Sequence, residues 1–176
     1  MTTKLLQNCF LIAICESWLT SKFMDPQIAL ANYVSIRADR FQATTGKTSW
    51  GGLAIYINKH RCESFQILWT HSGHNLETMA TSLRPFWTHR EESFIIVPLI
   101  YCTVYETTST DVSRATTELT HKEVDELETS NPNATIIAPG NLDHVNITLP
   151  KYRQRVKCPT RGVRTLDKCS AKLDNC

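Results

Sequence analysis

The sequence predicts an α/β domain, and three observations carry that expectation: short continuous apolar runs, one amphipathic stretch long enough for a helix, and their alternation along the chain. The first run is CFLIAIC, Cys9 to Cys15, which has the length and composition of a strand buried on both faces. It gives way to Glu16-Ser17-Trp18-Leu19-Thr20. Gly51-Gly52 then forms a turn into a second strand ending at Asn58. Leu76 to Leu83 predicts a third strand, and FIIVPLIY, Phe94 to Tyr101, a fourth. Pro98 sits inside that fourth run. Proline has no N–H to give a ladder, so this strand is expected to be an edge strand, bulged or damaged. Val112 to Glu128 predicts a helix whose apolar face is Ala115, Leu119, Val124 and Leu127. Asn131-Pro132-Asn133 stops it. Ala134 to Ala138 predicts a short buried strand that Pro139-Gly140 turns the chain out of. The remainder, through Pro150 and Cys158 to Gly162, reads as loop. In such a domain the functional residues sit on loops at strand ends.

A length of 176 residues suits one domain with a real core. With 41% apolar residues, 20% charged, 6 Gly and 7 Pro, collagen, linker and wholesale disorder are excluded. No apolar run approaches the ~18 residues of a spanning helix, so no membrane role is expected. The net charge of +2 names no partner by itself. Its distribution is more informative. Between Val104 and Thr129 stand seven acids against two bases, and between Lys151 and Lys172 eight bases against one acid. That second stretch has two readings, a phosphate-contacting surface or a solvated loop.

The seven cysteines follow no C-x-x-C spacing, so neither a zinc ribbon nor a thioredoxin-like site is signalled. Cys9, Cys15 and Cys102 lie in apolar runs and read as small buried hydrophobes. Together these features point to a reducing, intracellular compartment, nuclear or cytoplasmic. The rival is secretion, with Lys4 and LLQNCFLIAIC as a leader and sequons at Asn133 and Asn146. Against it, Gln7-Asn8 breaks the leader and Glu16-Ser17-Trp18 makes a poor cleavage site.

Several familiar constellations fail. Gly46-Lys47-Thr48 lacks the P-loop's first glycine, because Phe41 occupies that position. His71-x-x-His74 with His60 and Cys62 matches no zinc spacing, and no G-x-S-x-G elbow exists. What remains is a set of polar residues just beyond or at the ends of buried runs: Glu16, Glu77, Tyr101, Asn141, Asp143 and Asp167. Carboxylates and amides gathered at strand ends suit a hard cation such as Mg²⁺, which takes one or two carboxylates and fills its shell with phosphate oxygens and water. Each residue taken singly is more often a cap or surface group.

Six segments in order resemble the endonuclease/exonuclease/phosphatase family, in its apurinic-type endonuclease form from non-LTR (LINE-type) retrotransposons. Cys15 to Thr20 resembles T-E-T-W-L. Arg37-Ala38-Asp39-Arg40, Gly46-Lys47 and Gly51 to Asn58 resemble R-x-D-R…G-K…G-G-G-x-x-x-Y-I-N. Leu83-Arg84-Pro85-Phe86 with Arg90-Glu91 resembles C-R-P-Y-x-x-P-R-E, and Ile95 to Tyr101 resembles I-I-x-x-V-Y. Leu149 to Val156, Cys158 to Gly162 and Thr165-Leu166-Asp167 resemble L-P-K-x-x-Q-x-V-x-x-P-T-R-G…T-L-D.

The resemblance implies an α/β sandwich of two packed β-sheets flanked by helices. It implies Mg²⁺-dependent hydrolysis of a DNA phosphodiester, with no small-molecule cofactor. Glu16 would be the metal ligand, Tyr101 would donate to the scissile phosphate, and Asp167 would orient a histidine. Arg153, Arg155, Lys157, Arg161 and Arg164 would face DNA.

The departures bear on activity. The family's G-D-F-N stands here as Gly140-Asn141-Leu142-Asp143. An amide at Asn141 cannot accept the proton of an attacking water, and Asp143 sets a negative charge where an amide would meet phosphate. The family's first strand and its closing S-D-H find no counterpart, so residues 1–176 are expected to be a single partial, incomplete domain of impaired activity. The alternative is a non-catalytic nucleic-acid-binding remnant using residues 151–172.

Overall fold

The computed structural model describes residues 9–39, 51–73, 76–101, 110–141, 149, 151–159 and 167–171. Two β-sheets pack face to face. The smaller contains β1 (Leu11–Cys15), β2 (Tyr33–Ala38) and β3 (Leu53–Asn58) in the antiparallel order β1-β3-β2. A single-turn helix, α1 (Asp25–Ile28), lies between β1 and β2. The larger sheet has seven strands: β4 (Cys62–Ser72), β5 (Leu76–Pro85), β6 (Ser93–Ile96), β7 (Leu99–Tyr101), β8 (Ala134–Asn141), β9 (Arg153–Gln154) and β10 (Asp167–Ala171). Their order is β4-β5-β6-β8-β10-β9, with β7 also lying between β5 and β8. A long helix, α2 (Thr110–Ser130), connects β7 to β8 and covers the sheet's outer face.

Period-two alternation sorts side chains into layers. Ile36, Leu53, Ile55 and Ile57 of the small sheet meet Met79, Leu83, Ile96 and Ile100 of the large one. On the other face Leu76, Ala80, Ile95 and Ile136 meet Val124 and Leu127 of α2. β3 is the centre of its sheet and is buried along its whole length, with Ala54 and Tyr56 packing against Tyr33 on the outer side. Each fully buried Leu, Ile or Met contributes about 1.5–3 kcal/mol of transfer free energy.

Five sequence expectations are corrected. β1 is an edge strand and not buried on both faces: Ile14 is exposed and its other residues are half-buried. The FIIVPLIY run is central, not an edge, and the damage expected at Pro98 is a gap at Val97-Pro98 that splits the run into β6 and β7. β6 and β7 each pair with both β5 and β8, and neither side slips register across the gap at Val97-Pro98. The ladder loses only what proline cannot donate, and Val97 N–H still reaches the Ile137 carbonyl at 2.8 Å. Pro139 does not end β8, which runs on to Asn141, with Pro139 opposite Cys169. In α2, Ala115 is exposed, and Thr116 and Thr120 are buried with Val124 and Leu127. Ala115 lies nine residues before Val124, about half a turn out of phase, whereas Thr116 and Thr120 are in phase. Thr120 stays satisfied there, its hydroxyl donating to the Thr116 carbonyl at 2.9 Å. Finally, β9 and β10 are strands where loop was expected, and β2 and β4 were not foreseen.

Cys9 and Cys15 are half-buried, Cys15 packing on the intersheet core, and Cys102 lies outside the described residues. Cys62 and Cys169 are free thiols. Among the described residues no helix is long and apolar enough to cross a membrane.

Candidate active site

One end of the sandwich collects the polar residues that follow or open the buried strands. β1 ends at Cys15, opposite Leu53, and Glu16 comes next. Ser17 N–H then bonds the Gly52 carbonyl at 2.9 Å and Trp18 N–H the Gly51 carbonyl at 2.8 Å. Glu16 and Ser17 together oppose the single residue Gly52, so Glu16 is the extra residue of a β-bulge. Bulges of this kind turn a side chain out of the regular alternation and recur beside active sites. The backbone carries the strain: φ is 61° at Glu16 and 56° at Trp18, left-handed values uncommon outside glycine.

Across the gap between sheets, Asn141 at the end of β8 donates its Nδ2 to Glu16 Oε1 at 3.1 Å. A second cross-sheet bond lies beside it, where buried Glu77 of β5 accepts the Gly52 N–H on Oε2 at 2.8 Å. Register places the other expected residues on neighbouring strands at this same end. Tyr101 is opposite Leu76, Ile100 is opposite both Glu77 and Asn141, and Asn141 is opposite Asp167. Tyr101, Asn141 and Asp167 thus stand at the ends of three adjacent strands, with Glu16 facing them from the other sheet. The side chains of Tyr101 and Asp167 lie outside the described residues, as do Asp143, Arg161 and Arg164.

The donor set fits a hard cation. Glu16 supplies a carboxylate. Asn141 Oδ1 is buried and finds no hydrogen-bond partner among the described residues, while Nδ2 of the same amide faces Glu16. A carboxylate and an amide oxygen are the ligand types that Mg²⁺ takes. Among the described residues no three His, Cys, Asp or Glu side chains form a metal cluster, which removes the His60, Cys62 and His71 grouping, while His74 lies outside them.

No family model and no curated protein matches the chain. Solved structures do. The human Nocturnin catalytic domain aligns at a TM-score of 0.66 and 11% identity, over 96% of this chain and 70% of that one. Truncated TDP2 from Caenorhabditis elegans aligns at 0.63 and 13%, over 96% and 73%. ANGEL2, a 2′,3′-cyclic phosphatase, aligns at 0.61 and 9%, over 96% and 71%. All three belong to the endonuclease/exonuclease/phosphatase superfamily. The fold of this chain is the endonuclease/exonuclease/phosphatase fold.

In this fold the basic segment forms an edge. β9 is the outermost strand beside β10, and Arg155 N–H bonds the Cys169 carbonyl at 2.8 Å. From Lys151 to Lys157 exposure alternates: Lys151, Arg153, Arg155 and Lys157 are exposed, while Tyr152, Gln154 and Val156 are half-buried. Gln154 anchors the segment, its Oε1 accepting from Cys169 N–H at 2.7 Å. Tyr152 donates to Glu128 at 3.0 Å and Lys151 pairs with the same carboxylate at 3.1 Å. Burial, with the Glu128 bond second, pushes the Tyr152 hydroxyl above its ordinary pKa. Burial lowers Lys168 and raises the Cys169 thiol on the adjoining strand. Reading the sequence alone named Gly51-Gly52 as a turn and Glu77 among the polar set, but not the bond from Gly52 to Glu77 that joins them.

Proposed function

We propose that this chain is a retrotransposon-derived, Mg²⁺-dependent DNA endonuclease domain of the LINE type, partial and impaired in catalysis. The observation that carries the reading is the cross-sheet meeting of Glu16 and Asn141 at 3.1 Å, at the end where Tyr101 and Asp167 converge. The six ordered sequence segments support the retrotransposon origin, and the fold supports a phosphodiesterase. Glu16 and Asn141 Oδ1 would hold the Mg²⁺, with Tyr101 as donor to the phosphate. The bound ion polarises the phosphate and stabilises the leaving oxygen. Asn141 contributes a neutral amide whose Nδ2 is committed to Glu16, so it holds the ligand in place but takes no proton from water. A missing general base costs about 10²–10⁴ in rate, and that is the impairment. Work on DNA belongs in the nucleus or cytoplasm, where free cysteines are at home.

The test is nicking of supercoiled plasmid in Mg²⁺ and in EDTA. Asn141→Asp with Asp143→Asn should nick about 10²–10⁴ faster than the native chain, and Glu16→Ala should abolish nicking. Equal rates before and after the exchange would refute the impairment. Nicking that survives Glu16→Ala would refute the site.

A second reading is favoured by the alternating cations: a non-catalytic nucleic-acid-binding remnant. Exposed Arg153, Arg155 and Lys157 line one side of an edge segment, with Arg161 and Arg164 beyond it. Among neighbours of this fold, TDP2 from D. rerio has been solved with a single-strand DNA product. Binding that falls steeply with salt while both nicking assays stay blank would favour it.

A further inference from the structure

The cross-sheet bond from Gly52 to Glu77 has a consequence for Glu16, and it extends the reading of Glu16 as the metal-holding residue. Glu77 is 4% exposed, a carboxylate carried within an otherwise apolar strand. Such a group is costly to bury unless its oxygens are used. One of them, Oε2, accepts the Gly52 N–H at 2.8 Å. Gly52 in turn offers its carbonyl to Ser17 N–H, and Gly51 offers its carbonyl to Trp18 N–H. Those two bonds hold the chain just after Glu16, the Cys15–Leu53 ladder pair holds it just before, and together they fix the bulge that carries it. Both glycines need positive φ, 102° at Gly51 and 77° at Gly52, so the turn is itself a conformation that requires holding. Glu16 and Trp18 are strained as well, and such strain persists only where the surroundings over-determine it.

We infer that Glu77 is a positioning residue for Glu16: through the Gly51-Gly52 turn it holds the bulge that points the Glu16 carboxylate at Asn141. Its Oε2 accepts the Gly52 N–H, and an oxygen acceptor at that position is what the positioning role requires. This separates the inference from two alternatives. If Glu77 ligated the ion, an amide there would be nearly as damaging as an apolar residue. If Glu77 served the fold alone, its loss would lower stability and leave the geometry at Glu16 unchanged in molecules that remain folded.

The experiment compares the full chain with Glu77→Gln, Glu77→Leu and Glu16→Ala. Binding of Mn²⁺, followed by its electron paramagnetic resonance signal, reads the site without turnover. Amide hydrogen exchange at Ser17, Trp18 and Gly52 reads the bulge without any metal. Glu77→Leu should weaken Mn²⁺ binding about 10–100-fold, as loss of an outer residue that orients a ligand does. It should also speed exchange at Ser17 and Trp18. Glu77→Gln keeps an oxygen acceptor and should stay within about threefold of the native chain on both readouts. Equal losses in Gln and Leu, or unchanged exchange at Ser17 and Trp18 in folded Glu77→Leu, would overturn the inference. If the native chain binds no Mn²⁺, the metal reading of Glu16 fails while the exchange data still decide the role of Glu77. If Glu77→Leu does not fold, the native chain decides: absence of exchange protection at Gly52, Ser17 and Trp18 overturns the proposal, and protection retained in Glu77→Gln supports it.

Discussion

Replacing Asn141 by Asp alone, with no other change, should make the fold depend on a divalent ion. In the native chain Asn141 Nδ2 donates to Glu16 Oε1 at 3.1 Å. The substitution turns that donor into a second carboxylate at the same distance. Two unit charges 3.1 Å apart repel by about 1 kcal/mol at the dielectric constant of water and about 5 kcal/mol at an effective value of 20. The lost bond to a charged acceptor adds about 1.5–3 kcal/mol before relaxation. Both side chains are only partly buried and can swing apart, so the lower end applies, about 2.5 kcal/mol in all. For a chain of this size that is a fall of about 5–10 °C in Tm in EDTA at pH 7. An ion held between the carboxylates reverses the sign of their interaction. Mg²⁺ at about one hundred times its Kd would return about 2.7 kcal/mol, enough to cancel the deficit. Melting curves for both chains, with EDTA and with Mg²⁺, test this. Asn141→Asp as stable as the native chain in EDTA, or equal Mg²⁺ shifts in the two proteins, would refute the Glu16–Asn141 geometry.

Three further outcomes follow from other parts of the structure. Arg37 donates from Nε to Asp39 at 2.8 Å, from Nη1 to the Phe23 carbonyl at 2.8 Å and from Nη2 to the Thr20 carbonyl at 2.9 Å, tying the segment after Glu16 to β2. Arg37→Ala should cost about 2–3 kcal/mol in urea unfolding and expose residues 17–32 to protease, and an unchanged midpoint would contradict that role. Arg153→Ala with Lys157→Ala should flatten the slope of log binding constant against log salt for single-stranded DNA by about 1.4, and an unaltered slope would take the edge segment out of the interface. Tyr152 has its pKa raised from 10.0 in the fold, chiefly by burial. The raised group contributes stability that is complete below pH 10 and is lost as pH climbs toward its folded value, because the unfolded chain releases that proton first. Urea midpoints should therefore fall less between pH 9 and pH 11 in Tyr152→Phe than in the native chain.

The parts of the fold legible in the sequence were its continuous apolar stretches. β3 and most of the β6–β7 run are apolar because both faces are covered, whereas β1 is equally apolar as an edge strand with Ile14 exposed, and β8 alternates buried with half-buried residues. β4 was hidden for the opposite reason: it is an edge strand whose Phe65 and Ile67 are exposed, and CESFQILWTHS shows no clean alternation. β9 and β10 are short or polar, and they exist through pairing, β10 with the distant β8 and β9 with β10. Pro98 misled because the proline rule concerns lost donors, whereas here both neighbours keep their register and absorb the gap. Within the site, Glu16 and Asn141 could be picked out as polar residues after buried runs. Their contact could not, since it joins residues 125 apart on different sheets. Glu77 and the Gly51-Gly52 turn act through backbone bonds, which leave no chemical signature in a sequence.

Asn141 also explains how such a site stays assembled without an ion. Its small sheet of three strands covers a larger sheet of seven, and two cross-sheet side-chain bonds close the functional end, one to Glu16 and one from Gly52 to Glu77. A carboxylate in place of Asn141 would repel Glu16 whenever the ion was absent, whereas the amide attracts it at all times. The exchange that withholds a general base therefore stabilises the ion-free sandwich. Active sites commonly carry strain and like charge that function requires and stability opposes. The electrostatic part of that conflict is relieved at Asn141 and the backbone part is retained, because Glu16 and Trp18 still hold their left-handed conformations. On the function proposed above, a strained bulge kept beside a neutral amide is the arrangement expected of a metal site that has lost its base before losing its scaffold.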